Sequence, residues 1–223
     1  MCELCPRRCG VDRSSGAVGF CGAGGSAVRI SRAALHAWEE PCISGTRGSG
    51  TIFFSYCTLR CVYCQNLPVS RGIAGTEVEI SRLAEIMLEL EAQGAHNINL
   101  VTPTHYAVQI LEAIEIARRR GLSLPIVYNT GGYELSSAIE RLRGAVDIFL
   151  TDYKYATNAD ALRYSGAADY IENADAALAK MVELAPLSFS SDGLLRSGVI
   201  VRHLLLPRKL TAAKNVLKRI FTR

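Results

Sequence analysis

Short apolar runs alternate with amphipathic stretches along most of the 223-residue chain. Apolar, β-rich runs fall at 51–56, 97–102, 125–129, 146–150 and 199–206. Between them the apolar residues recur at helical spacing. Leu83, Ile86, Met87 and Leu90 lie at i, i+3, i+4 and i+7, with Ser81 placed as an N-cap and Gly94 as a stop. Ile110, Leu111, Ile114 and Ala117 form a second stripe closed by Gly121, and Leu135, Ala138, Ile139 and Leu142 a third closed by Gly144. A glycine just past the last periodic residue takes the left-handed conformation without a Cβ penalty. A fourth helix is predicted over 169–184, carrying Ile171, Ala174, Leu178 and Met181. A last one carries Leu210, Ala213, Val216, Leu217 and Ile220.

The strand segments are nearly continuous in apolar residues, as parallel strands covered on both faces by helices must be. Repeated βα units close into a barrel or an open doubly wound sheet, and in both the ligands gather at the C-terminal strand ends. The fold class is therefore α/β. The N-terminal part differs. Residues 1–45 hold five of the eight cysteines, many glycines and little apolar periodicity, too little to build a core. The expected division is a Cys-rich, metal-organised module over 1–47 followed by an α/β domain over 48–223.

Composition narrows the chemistry. With 49% hydrophobic residues the chain buries a substantial core without disulfides. The net charge is only +4. The basic residues near the end (Arg202, Arg208, Lys209, Lys214, Lys218, Arg219, Arg223) read as a solvated helix face, and six Phe and one Trp supply no evident base-stacking platform, so no nucleic-acid partner is expected. No run of eighteen apolar residues occurs, and MCELCPRRCG has no apolar signal-peptide region, so no membrane partner and a cytoplasmic location are expected. In that reducing compartment eight cysteines point to metal or redox sites.

The strongest such signal follows the first strand, in FFSYCTLRCVYCQN. Cys57, Cys61 and Cys64, spaced C-x3-C-x2-C, sit in a loop at the strand's C-terminal end. Three thiolates there hold three irons of a cubane and leave the fourth iron open. A zinc knuckle needs four ligands, and no His or Cys follows closely. Farther upstream, Cys2, Cys5, Cys9 and Cys21 follow C-x2-C-x3-C-x11-C, with Cys42 left over. Such spacing suits zinc or a second iron–sulfur cluster, the alternative being reduced thiols. His36, His96 and His105 read as ordinary polar or core histidines, His203 as a packing residue and Trp38 as core. Asp152 and Lys154 are two apart after an apolar run, so as strand residues they face one side at the strand mouth; a surface pair is the other reading.

C-x3-C-x-aromatic-C after the first strand of a βα barrel resembles the radical S-adenosylmethionine (SAM) superfamily signature. YNTGGYE after the third strand, TDYKY after the fourth and VRHLLLP at the fifth, with CELCPRRCG and HAWEEPCISG, resemble the branch of the pyruvate formate-lyase activating enzyme and its uncharacterised relatives. The resemblance implies a partial (β/α)6-type barrel; here the chain runs on for one helix after the fifth strand, so a barrel cut short at that strand is expected. It implies a 4Fe–4S cluster on Cys57, Cys61 and Cys64, whose open iron chelates SAM and whose electron cleaves it to a 5′-deoxyadenosyl radical that abstracts hydrogen. It places Tyr63 beside the adenine, and Lys154, Asp152 and Arg202 at the SAM carboxylate. Asn129 and Thr130 join Asp152 in a polar or monovalent-cation site. Thr102-Pro103-Thr104 stands where the family carries a glycine-rich G-G-E, so a threonine hydroxyl or a carbonyl meets the SAM amine. Asn129 replaces the usual Asp, and Leu-Pro-Arg the usual Leu-Pro-Gly. The implied partners are a low-potential donor of flavodoxin or ferredoxin type and a protein substrate carrying a target glycine. The rival reading is a non-catalytic iron–sulfur or zinc protein for electron transfer or regulation.

Overall fold

The computed structural model describes residues 1–222. In chain order the elements are β1 (Val28–His36), α1 (Pro41–Ser44), β2 (Ser49–Phe54), α2 (Leu67–Ser70), β3 (Thr76–Val78), α3 (Ile80–Ala92), β4 (Ile98–Val101) and α4 (Ala107–Arg119). There follow β5 (Ile126–Thr130), α5 (Ser136–Glu140), β6 (Ile148–Asp152), α6 (Asn158–Ser165), α7 (Tyr170–Leu184), β7 (Ser188–Phe189), β8 (Leu195–Arg202) and α8 (Leu210–Phe221).

The strands form one mixed sheet in the order β3-β1-β2-β4-β5-β6-β8-β7. The five central strands β2, β4, β5, β6 and β8 run parallel. They match the five apolar runs of the sequence; β2, β4, β5 and β6 are buried along most of their length, while β8 is mostly half-buried. One layer of core lies under α3 and α4, whose stripes (Leu83, Met87 and Leu90; Ile110, Ile114 and Ala117) pack on Ile52, Leu100 and Tyr128. Ile43, Val127, Ile148 and Leu150 pack in a separate cluster. Fully burying one such side chain contributes about 1.5–3 kcal/mol.

Antiparallel strands extend the parallel set. β1 pairs with β2 from Ile30↔Phe54 to His36↔Ser49, and β3 pairs with β1. The strand ladder thus runs across the 47/48 boundary. β1 escapes the apolar pattern because an outer strand is half-exposed and carries Arg29 and Arg32. The ladder ends at β3 and β7 without a pairing that joins those edges among the described residues.

Several local expectations are corrected. α3 begins at Ile80 behind Glu79, so Ser81 lies inside the helix and caps nothing. The third helix is one short turn, Ser136–Glu140, although Gly144 does turn left-handed beyond it, at φ 74°. α6 was invisible to periodicity; Thr157 starts it by accepting from the Asp160 N–H at 3.2 Å, and left-handed Gly166 ends it. The fifth parallel strand is Leu195–Arg202, and Leu204 and Leu205 lie beyond it more than half exposed. Trp38 is 88% exposed and not core.

Candidate functional site

The loops after β2, β4, β5, β6 and β8 meet around a cavity of about 270 Å³. Cys57, Cys61, Cys64 and Tyr63 line it from the loop after β2, Thr102 and Thr104 from the end of β4, and Asn129 and Thr130 from the end of β5. Asp152 and Arg202 complete it from the last positions of β6 and β8, and Lys154, predicted as a strand residue, does so from the loop just past β6. Every residue placed at the SAM and triad site from sequence thus faces one space, at the strand ends where the fold rule puts ligands.

Backbone strain and glycine shape this mouth. Tyr56, just before Cys57, has φ 73°, and Thr102 has φ 61° while its N–H reaches the Asn129 carbonyl at 2.8 Å. Non-glycine residues in this region store strain that the surroundings must hold, which is common at ligand sites. After β5, a Cβ on Gly131 would lie 2.8 Å from Leu59 and 3.4 Å from Lys154, and one on Gly132 (φ +79°) would lie 2.1 Å from the Asp152 carbonyl. Only glycine lets this loop pass so close to the cysteine loop and β6.

Charge runs through the cavity as a chain. Lys154 Nζ reaches Asp152 Oδ2 at 2.5 Å, and Arg202 Nε reaches Asp152 Oδ1 at 3.2 Å. Arg202 also donates to Asn129 Oδ1 at 2.8 Å and faces Glu39 at 3.4 Å and Glu40 at 3.6 Å. The parallel register sets Asp152 beside Arg202. Burial works against the charge on Lys154, but Asp152 and the sulfurs of Cys61 and Cys57 outweigh it, and its pKa is raised. Lys154 therefore stays cationic. His203 turns away, its ring bonded to the Tyr153 carbonyl at 2.7 Å.

The thiols are held individually. Cys61 is buried and accepts from Ser165 Oγ at 2.9 Å, and Cys57 accepts from the Leu59 N–H at 3.4 Å. Burial pushes the Cys57 thiol up, with the Arg60 and Leu59 amides pulling against it. Tyr63 donates to the Tyr155 hydroxyl at 2.7 Å and sits edge-on to Tyr155 and Tyr164. Among the described residues no three His, Cys, Asp or Glu side chains close on a single ion. Three thiols lining one cavity supply the donor set of a cluster with one open iron.

Sequence reasoning passed over Glu134, although it ends the YNTGGYE segment. Its carboxylate is 1% exposed and accepts from the hydroxyls of Thr104, at 2.5 Å, and Thr130. Each hydroxyl gives its one proton to Glu134, and although Thr130 also accepts from the Gly132 N–H at 3.3 Å, each oxygen keeps lone-pair capacity for a ligand donor. Burial raises the Glu134 pKa to about 7 from 4.5, against the pull of the two threonines. A carboxyl easier to ionise when unfolded makes a contribution to stability that is fully present below about pH 4.5 and is lost as pH rises through about 7. Glu134→Gln is expected to match the parent in stability at pH 4 and to exceed it at pH 8 by up to about 3 kcal/mol. Urea titrations at the two pH values check this, and equal midpoints at pH 8 would refute it.

Cys2, Cys5, Cys9 and Cys21 line a second, much smaller pocket of about 10 Å³. Burial pushes the Cys5 thiol up to about 12 and the Cys21 thiol upward as well. Cys42 lines neither space.

No helix among the described residues is long and apolar enough to cross a membrane. An uncharacterized protein of Methanocaldococcus jannaschii is 28% identical over 218 residues, a match that takes in 94% of this chain and 58% of that protein. The present chain thus spans little more than half the length of that relative. Residues 51–191, well over half of the chain and including the cysteine loop and the ends of β4, β5 and β6, match the family model described as the Radical SAM superfamily. The chain belongs to the Radical SAM superfamily.

Proposed function

We propose that the chain binds SAM in the cavity beside a 4Fe–4S cluster on Cys57, Cys61 and Cys64 and cleaves it reductively for hydrogen abstraction. The observation that carries this reading is the convergence of three thiols, two cations and two oriented hydroxyls on one space. When bound, such a cluster delivers one electron to the sulfonium of SAM, breaking its carbon–sulfur bond to methionine and a 5′-deoxyadenosyl radical.

The protein's share is to bind and orient. Lys154 and Arg202 meet the SAM carboxylate, and Asp152, bonded to both, sets the distance between them. Thr104 and Thr130, with their protons committed to Glu134, offer acceptor oxygens to the SAM ammonium. The carboxylate that a G-G-E segment would bring after β4 comes instead from the loop after β5. Tyr63 presents its ring to the adenine, and Asn129 is held by Arg202. The scaffold is read as a partial (β/α)6-type barrel of five parallel strands. By its likeness to activating enzymes, the reading extends to an electron donor of flavodoxin or ferredoxin type and to a protein glycine as the hydrogen source.

The test is anaerobic. Protein reconstituted with iron and sulfide and reduced by dithionite is expected to convert SAM to 5′-deoxyadenosine and methionine, read by chromatography. An intact, reducible cluster that leaves SAM whole would overturn the enzymatic reading in favour of a non-catalytic iron–sulfur role.

A further inference from the structure

The four N-terminal cysteines stand outside that chemistry, yet they share a pocket with a histidine from the catalytic half. Cys2, Cys5, Cys9, Cys21 and His105 all line it. His105, just after Thr104, is 2% exposed. Its Nε2 lies 2.8 Å from the Ser55 carbonyl, which only accepts, so Nε2 carries the proton. Nδ1 is then a bare acceptor, buried and without a hydrogen-bond partner. A histidine that ligates a metal shows this pattern: one nitrogen donates to a backbone carbonyl and the other offers its lone pair to the ion.

The surroundings suit an ion as well. The Phe20 and Ala23 amides donate to the sulfurs of Cys9 at 3.2 Å and Cys21 at 3.4 Å, as partners behind metal ligands do. A Cβ on Gly19 would lie 2.9 Å from the Cys9 sulfur, so glycine keeps that sulfur's place clear. Size chooses between a cluster and a single ion. About 10 Å³ is the room of one water-sized atom, against about 270 Å³ at the triad. Thiolates with one imidazole are the donors of zinc.

We propose that this pocket binds one zinc ion through His105 Nδ1 and the N-terminal thiols, and that the ion braces the loop carrying Cys57, Cys61 and Cys64. Five candidate donors line the pocket where zinc takes four; no three of them yet converge on one point, so side chains rotate for the ion to bind. The bracing follows from the contacts of the module. His105 holds the carbonyl of Ser55, two residues before Cys57. Arg7, between Cys5 and Cys9, donates to the Thr58 carbonyl at 2.9 Å and the Ser165 carbonyl at 2.7 Å, and Ser165 in turn bonds the Cys61 sulfur. Arg60, next to Cys61, reaches back to the Phe20 carbonyl at 3.0 Å. An ion that orders residues 2–21 thus fixes the triad loop from three sides.

Metal analysis of the full chain carrying Cys57→Ala, Cys61→Ala and Cys64→Ala separates this site from the triad, because any metal left sits elsewhere. The expected result is about one zinc per chain without acid-labile sulfide. Iron with sulfide in that variant would replace the ion with a second cluster and overturn the proposal. So would protein holding neither metal whose first 45 residues resist protease as well as the parent's. Cobalt(II) in place of zinc gives a second readout: its tetrahedral visible bands are expected to shift in His105→Gln, and unchanged bands remove His105 as a ligand. In the triad-intact chain, His105→Gln is expected to lower zinc and, with it, iron retained at the triad by at least severalfold. Full iron retention at lowered zinc would overturn the bracing. None of these measurements depends on SAM cleavage, so the zinc site stands or falls apart from the proposed reaction.

Discussion

Alanine at Cys57, Cys61 and Cys64 together is expected to remove the cluster from the cavity and to reduce 5′-deoxyadenosine formation below detection, with the sheet intact. In the proposed assignment each thiolate is one of only three protein ligands to the cubane, so even a single replacement leaves an iron without its donor and depletes the cluster. Without the cluster no low-potential donor stands beside SAM, and no other thiol lines the cavity. Folding is not at stake to the same degree. The five parallel strands pair by backbone hydrogen bonds and pack through Ile52, Leu100, Tyr128 and Phe149, none of which touches the triad's role. Circular dichroism is therefore expected to match the parent while iron and sulfide fall. Cys42→Ala is the control, since Cys42 lines neither pocket. A triple variant that still yields 5′-deoxyadenosine under dithionite would show that the triad has been misassigned.

Residues whose neighbours are close in sequence were the ones that could be read in advance. A three-thiol loop eight residues long after an apolar run, or Asp152 and Lys154 two positions apart, mark locally which residues line the cavity. The five parallel strands were equally legible, because strands buried on both faces must be apolar throughout. The same rule misled at Leu204 and Leu205, where an apolar run continues past the strand into exposed chain. β1 was missed for the converse reason, since an outer antiparallel strand need not be apolar throughout. Glu134 and His105 lay beyond any local signal. The role of Glu134 rests on Thr104, thirty residues away, and that of His105 on Ser55, fifty away. Both are polar groups satisfied, or left bare, only when distant strands come together.

The charge chain carries the second large expectation. Lys154→Met is expected to weaken SAM binding roughly ten- to hundredfold at unchanged cluster content, the loss of one charge-assisted hydrogen bond at about 1.5–3 kcal/mol. The Lys154 side chain is 16% exposed, so water compensates little for its loss. Losing it also deprives Asp152 of one partner, and removing one member of a buried ion pair destabilises by about 3–5 kcal/mol where no other cation stands near. Here Arg202 remains at 3.2 Å from the other oxygen, so the cost in stability falls below that range. Weak binding by the single variant then has two sources, a missing cation and a disturbed Asp152. Asp152→Asn combined with Lys154→Met separates them. It removes both charges, so stability returns toward the parent, while SAM affinity stays low because one of the two cations proposed to meet the carboxylate is still absent. Arg202→Met is expected to lower affinity by a similar factor with less effect on stability, its side chain being 36% exposed and its bonds shared with Asn129 and Glu39. Equilibrium dialysis with labelled SAM on reconstituted protein, alongside urea midpoints, reads both quantities. Parent-like affinity in the double variant would remove Lys154 from the SAM site.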